Sequence, residues 1–303
     1  MIKIGIVGLD TSHAESYAMA IRNHPETSLA AVWDGGAVRD RAYARAYGER
    51  NGATLYDEPL EMADDVDAVM ILTLDWTTHR DLAVPFLRDA VPTAIDKPVV
   101  GSLEDVRAIR SAANETPLFG GSAVPYHPSL RSIQVAGDGW LFYGVGYGDP
   151  FYYGCHVVDA IRFLVDHRWA SVAPADGPGR SVDVVFVDGS HATIHLDGAS
   201  NRVGASNRET FTFVGVGDET VIQEVETTHV DLEAMYRGYL DAFVEAITGA
   251  RDAAGERMLD AATLLLGANA ALEEGRTITP TSDSLAAYDV DGRAFLDDYQ
   301  PYY

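Results

Sequence analysis

Lysine is almost missing from this chain: Lys3 and Lys97 are the only two, arginine supplies the other basic residues, and 46 acidic residues oppose 22 basic ones. A net charge of −24 excludes nucleic acid and anionic membrane as partners, because a mostly negative surface repels phosphates. Cysteine is nearly absent too. Cys155 alone rules out an internal disulfide and a cysteine-rich metal site, which is in keeping with a reducing compartment. No apolar run approaches the roughly 20 residues of a membrane span, and the N-terminal Met1-Ile-Lys-Ile-Gly-Ile-Val-Gly8 reads as a first β-strand rather than a secretory leader. A soluble, cytoplasmic protein is expected. Dense carboxylates with so little lysine also fit a surface adapted to concentrated salt, where counterions screen self-repulsion. A halophilic host is the expectation, an arginine-rich genome the alternative.

What is present is ordinary globular composition, 47% hydrophobic and 22% charged over 303 residues, enough for two domains. From the start, short β-branched runs alternate with helical stretches: strands at 2–7, 29–33, 68–73 and 92–95, helices at 14–23, 38–47, 79–88 and 103–113. This rhythm predicts a parallel, doubly wound Rossmann sheet. After about residue 120 it changes to strands at 182–187, 191–196 and 210–214, the first two joined by Asp188-Gly189-Ser190, a hairpin signal. Helices at 232–248 and 256–274 follow, then a polar tail rich in Asp, Tyr and Pro. The expected architecture is α/β, with residues 1–120 as a dinucleotide-binding domain. Residues 121–303 are expected to form a second, α+β domain built on a largely antiparallel open sheet.

A strand running into Gly8 and then a helix is where a doubly wound fold seats a pyrophosphate, on backbone N–H groups and the positive end of the helix. The usual fingerprint is Gly-x-Gly-x-x-Gly, whereas this loop reads Gly8-Leu9-Asp10-Thr11-Ser12-His13. Aspartate and histidine stand at the second and third glycine positions, and a carboxylate there repels the pyrophosphate unless it points away. Asp10, Thr11 and Ser12 are also good helix caps. Asp34 ends the second strand, where an acidic side chain accepts hydrogen bonds from an adenosine ribose and repels a 2′-phosphate. NAD is therefore favoured, with NADP kept open by Arg39 and Arg41.

Further along come Thr73-Leu74-Asp75-Trp-Thr-Thr-His79, then Asp96-Lys97-Pro98, Pro125-Tyr126-His127-Pro128 and Gly154-Cys155-His156-Val-Val-Asp159. Taken in this order the chain resembles the Gfo/Idh/MocA family of nicotinamide-dependent sugar and polyol oxidoreductases. That family carries Thr-Pro-x-x-x-His-like, Glu-Lys-Pro and Gly-x-His-x-x-Asp segments in the same order. Here Leu74 replaces the proline, the loop is one residue longer, Asp96 replaces glutamate, and the family's aspartate four residues before the histidine is Tyr152. Tyr239-x-x-x-Phe243 through Ala271-Leu-Glu-Glu-Gly275-Arg276 resembles the family's closing helices.

The resemblance implies that Gly8, Asp10, Thr11, Ser12, His13, Asp34, Thr73, Leu74, Asp75, His79, Asp96 and Lys97 border the cofactor. It places Lys97 beside the nicotinamide and the substrate hydroxyl, where an ammonium hydrogen-bonds the reacting oxygen and helps move its proton. His156 is the expected second acid–base group. Asp159, one helical turn on and so on the same face, is expected to orient it or to hold a substrate hydroxyl. Tyr152 either substitutes chemically for the missing aspartate or, with Tyr153, lines a sugar-binding wall. Tyr126, His127 and Trp140 are lesser candidates for the same pocket, while His191 and His195 read as structural or exposed.

Two functions follow. The first is hydride transfer between nicotinamide and a sugar, cyclitol or related polyhydroxy compound. The second is a redox-neutral lyase or isomerase, or a ligand-binding member of the same fold, that has lost hydride transfer. A metal held by some of Asp10, His13, Asp75, His79 and His156 is a minor variant, and no metal is the expectation. The partners expected are a small polyhydroxy substrate and further copies of the chain, as a homodimer or homotetramer.

Overall fold

The opening run Ile2-Lys-Ile-Gly-Ile-Val7 becomes β1 (Ile2–Val7), whose last four residues are buried. Near-continuous apolar runs suit a parallel strand covered on both faces. In the computed structural model, which describes residues 1–133, 135, 138–176, 179–197, 210–226, 229–250 and 254–300, β1 lies near the centre of a six-stranded parallel sheet. The other strands are β2 (Thr27–Trp33), β3 (Thr54–Leu55), β4 (Ala68–Ile71), β5 (Thr93–Ile95) and β6 (Leu118–Gly120), in the order β3-β2-β1-β4-β5-β6. Helices α1 (Ser12–Asn23), α2 (Arg41–Asn51), α3 (His79–Arg88) and α4 (Leu103–Ala113) connect them. The predicted doubly wound sheet is therefore present.

Helices α1, α2 and α4 start at side-chain caps. Thr11 accepts from the His13 N–H at the start of α1, and Ser102 from the Asp105 N–H at the start of α4. The helix expected from residue 38 instead begins at Arg41, because the Asp40 carboxylate accepts the Tyr43 N–H and fixes the first turn there.

After β6 the chain forms α5 (Pro128–Arg131), β7 (Leu141–Val145), α6 (Gly154–Leu164), β8 (Trp169–Pro174), β9 (Ser181–Phe186), β10 (His191–His195), β11 (Thr210–Val216) and β12 (Thr220–Glu226). These strands make a second six-stranded sheet in the order β12-β11-β7-β10-β9-β8. It is antiparallel except where β7 runs parallel to β10. One face, carrying Phe142, Val184, Ile194 and Phe213, is buried under α6 and α8 (Gly255–Glu274). The other presents Leu141, Tyr143 and Ile222 as exposed apolar side chains. The expected hairpin forms, with His191 opposite Val185. Helix α7 (His229–Ile247) packs on α1. The expected polar tail instead contains α9 (Asp283–Ala287) and α10 (Gly292–Tyr299), and its last three residues lie outside the described ones.

Candidate active site

The site begins where β1 ends. Gly8 has φ +100°, and a Cβ there would sit 2.7 Å from the backbone nitrogen of Thr73, so only glycine lets the β1 and β4 loops touch. The next N–H, that of Leu9, donates to Asp34 Oδ1 (2.9 Å), and Gly36 N–H donates to its Oδ2 (3.2 Å). Asp34 thus draws the glycine loop towards the end of β2. Burial pushes its pKa up, while these two N–H groups oppose the rise.

Asp10 takes the second-glycine position without facing the helix start. Its Oδ2 accepts the Leu74 N–H at 2.8 Å, and the side chain is buried. Burial raises its pKa to about 6, helped by Asp34 and Asp75 and opposed by the Leu74 N–H and Arg39. The backbone N–H groups of Asp10, Thr11 and Ser12 find no acceptor among the described residues and precede the first intrahelical bond of α1. They leave an anion cradle at the positive helix end, which fits a dinucleotide diphosphate.

The β4 loop is largely occupied with itself. Thr73 Oγ1 lies 2.8 Å from Thr78 Oγ1, and Asp75 Oδ1 accepts both the N–H and the hydroxyl of Thr77. His79 is fully buried, its Nδ1 and Nε2 each 2.9 Å from a backbone carbonyl, those of Val99 and Thr73. Asp75 and His79 therefore hold the loop and the turn after β5 together instead of pointing at a ligand. Leu74 is buried, and its N–H is taken by Asp10.

A cavity of about 210 Å³ opens at the first turn of α1, lined by Thr11, Ser12 and His13, by Lys97 after β5 and by His156 of α6. Lys97 follows β5, and its Nζ lies 3.3 Å from the ring centroid of Tyr152 and 5.6 Å from that of Tyr153. Where the family pattern has a carboxylate, the ammonium here meets an aromatic face. Tyr152 stacks in turn on Phe295 of α10 (4.4 Å), and Tyr153, Tyr236 and Tyr299 complete a tyrosine-rich wall.

His156, on α6, has its Nδ1 2.6 Å from Ser122 Oγ. Burial, with the charge of Lys97, holds its pKa well below the ordinary value, so the ring is neutral. Asp159 lies one turn further along, yet it does not reach this cavity. Its Oδ2 accepts the Ser122 N–H at 2.5 Å, and the carboxylate faces a separate crevice beside Arg162 and Arg257. Burial raises its pKa to about 7, against the Ser122 N–H and the two arginines. His156 and Asp159 thus meet Ser122 from one face of α6, as the spacing implied, but Asp159 reaches His156 only through Ser122 and borders a different crevice.

Three lesser candidates lie elsewhere. Tyr126 is buried against Phe119 and Tyr239 and borders the Asp159 crevice. His127 caps α5, its Nδ1 accepting the Ser129 N–H, and Trp140 is buried beside Phe142, its backbone N–H donating to Ser190 Oγ. His195 holds Ser181 through Nδ1 and His191 is exposed, as expected of structural and surface residues. The five candidate metal ligands do not converge. Among the described residues the group of three histidine and carboxylate side chains that gathers within 4.8 Å is Asp138, His167 and Asp188, on the surface of the second half. Sequence reasoning missed Ser122. It lies two residues beyond β6, at the strand-end position where α/β sheets carry functional groups, but β6 is three residues long and gave no strand signal.

Residues 2–119 match a family model described as oxidoreductase family, NAD-binding Rossmann fold. The match falls on the Rossmann half of the chain, where the resemblance to the Gfo/Idh/MocA oxidoreductases had pointed. Beyond those residues the chain shares its fold with solved structures. An oxidoreductase of Agrobacterium radiobacter, crystallised with NAD+, L-tartaric acid and magnesium, superposes with TM-score 0.75 at 14% identity, covering 92% of this chain and 98% of its own. A myo-inositol dehydrogenase of Corynebacterium glutamicum superposes with TM-score 0.74 at 16% identity, covering 93% and 99%. A scyllo-inositol dehydrogenase of Lactobacillus casei gives TM-score 0.72 at 15% identity, covering 93% and 99%. No curated protein matches the sequence. Such identities show a shared fold over nearly the whole chain, and the loop bearing Asp10 and His13 departs from the glycine fingerprint.

Proposed function

We propose that the protein is an NAD-dependent oxidoreductase that transfers a hydride between nicotinamide and a hydroxyl-bearing carbon of a sugar or cyclitol. The observation that carries this reading is one cavity that joins the start of α1 to Lys97 and His156 beneath a tyrosine wall. When bound, NAD supplies the hydride acceptor. The free N–H groups of Asp10, Thr11 and Ser12 suit its diphosphate, and Asp34 suits the adenosine ribose while disfavouring a 2′-phosphate. The ammonium of Lys97 is placed to hydrogen-bond the reacting oxygen and to stabilise negative charge developing there. Tyr152 keeps that ammonium out of a competing ion pair. The neutral His156 ring, fixed by Ser122, offers a further hydrogen bond to a substrate hydroxyl. Tyrosine faces stack well on the C–H face of a ring polyol while their hydroxyls meet its polar edge. The inositol dehydrogenases that share the fold make cyclitols the first substrates to try.

Calorimetric titration with NAD, NADH, NADP and NADPH in potassium-rich buffer tests this reading. NAD or NADH is expected to bind, and Asp34→Asn to weaken binding about tenfold or more, as loss of a charged hydrogen-bond acceptor does. Absence of binding to the folded protein for all four dinucleotides would retire hydride transfer in favour of redox-neutral chemistry on the same scaffold.

A further inference from the structure

His13 stands where the glycine fingerprint has its third glycine, and the reading above gives it no task beyond bordering the cofactor. Its Nδ1 lies 2.5 Å from Asp96 Oδ2, while its ring borders the same cavity as Lys97 and His156. Nε2 has no protein partner among the described residues and is not sealed from solvent. This is a carboxylate holding one imidazole nitrogen so that the other faces the reaction space. Such a carboxylate fixes the Nδ1–H tautomer and stabilises the imidazolium formed when Nε2 takes a proton.

The geometry points to His13, oriented by Asp96, as the acid–base group of the cavity. Asp96 is almost fully buried. Burial alone would raise its pKa, yet the His13 ring and the Lys97 ammonium outweigh burial and hold it below the ordinary value, so it remains a carboxylate. His156 differs on each point: its Nδ1 partner is a hydroxyl, and burial with Lys97 keeps the ring neutral. Of the two imidazoles, only His13 has a negative charge ready to balance an incoming proton. The other groups around it are Tyr17 on its own helix and Tyr236 from α7, with ring centroids 6.3 Å and 6.0 Å away. Tyr17 is held well above the ordinary phenol range by burial, so it does not compete for the proton.

The inference rests on the oxidoreductase reading. Oxidation of a carbinol then divides as follows: the carbon's hydride goes to NAD+, the hydroxyl's proton goes to Nε2 of His13, and a carbonyl compound with NADH remains. Asp96 touches no reactant and is a positioning residue.

The test uses the whole protein, His13→Asn and Asp96→Asn. Asparagine at 13 keeps a donor near the Nδ1 position for Asp96 and removes only the cavity-facing nitrogen. In the parent, nitrogen-15 NMR of the imidazoles should show His13 with Nδ1 protonated and Nε2 bare at pH 8. Diethyl pyrocarbonate should modify His13, with NADH slowing the reaction. Asp96→Asn should shift the ring towards the Nε2–H tautomer. His13→Asn should lose about a hundredfold or more in kcat at saturating NAD+ on whichever cyclitol the parent oxidises, as loss of a general base does. A His13 tautomer indifferent to Asp96, resistance to the reagent, or an unchanged kcat in His13→Asn overturns the proposal. If the parent binds no dinucleotide, the hydride-transfer reading fails by itself, while the NMR and modification results still decide whether His13 and Asp96 form the pair.

Discussion

Asp10 shows how a single side chain adapts a familiar loop. Its carboxylate is buried against the Leu74 N–H with a pKa raised to about 6 from 3.8. The folded protein therefore holds this proton more tightly than the unfolded chain. The stability this contributes is fully present below about pH 4 and is lost as pH rises through about 6. Asp10→Asn keeps an oxygen for the Leu74 N–H but removes the buried charge. The variant is expected to be more stable than the parent at pH 8 by about 2 to 3 kcal/mol, with the gap closing towards pH 4. Urea unfolding at the two pH values checks this, and equal differences at both would refute it. The positions of Gly8 and Asp34 were legible in the sequence because each stands at a strand end that the periodicity marks, and those of Lys97 and His156 through the motifs that resemble the Gfo/Idh/MocA family. Their partners were not. Asp10 to Leu74, His13 to Asp96 and His156 to Ser122 each link segments far apart in the chain, and spacing within one segment says nothing about them.

At the level of elements, the capped helices and the apolar parallel strands follow local rules, whereas the pieces that close the site do not. Helix α10 is short and polar, and in the sequence it reads as tail. In the fold its Phe295 stacks on Tyr152 and packs on Trp76 at 5.4 Å, and the Trp76 indole donates to the Val290 carbonyl at 2.7 Å. Gly292 makes this approach possible, since a Cβ there would lie 2.6 Å from Asp75 Oδ1 and 2.7 Å from the Trp76 nitrogen. Gly292→Val is expected to destabilise the protein by about 1 to 3 kcal/mol, the usual penalty of overpacking, and to shift Trp76 fluorescence. A thermal melt and an emission spectrum matching the parent would show that α10 is not seated as described. Strands β7 and β8 escaped the sequence reading for a related reason. Leu-Phe-Tyr-Gly-Val and Trp-Ala-Ser-Val-Ala-Pro mix aromatic, small and proline residues, and become strands only where neighbours in the sheet satisfy their backbone groups.

For the molecule as a whole the dominant physical fact is charge. With a net −24 and two lysines among its basic residues, the folded state repels itself at low ionic strength, and salt screens that repulsion. The melting temperature is expected to rise by several degrees between dilute buffer and about 2 M KCl, a range over which the Debye length falls to a few ångströms. Equal melting points would dismiss adaptation to salt. The sequence by itself determined the charge, the doubly wound first sheet and the strand ends where chemistry could sit, because composition and hydrophobic period are local properties that survive into the fold. Tertiary structure decided which side chains face one another. It turned Asp10 away from the helix start, put Asp159 behind Ser122, set Lys97 on the Tyr152 ring and aimed His13 into the cavity. Those outcomes depend on contacts between distant segments, which no local pattern encodes.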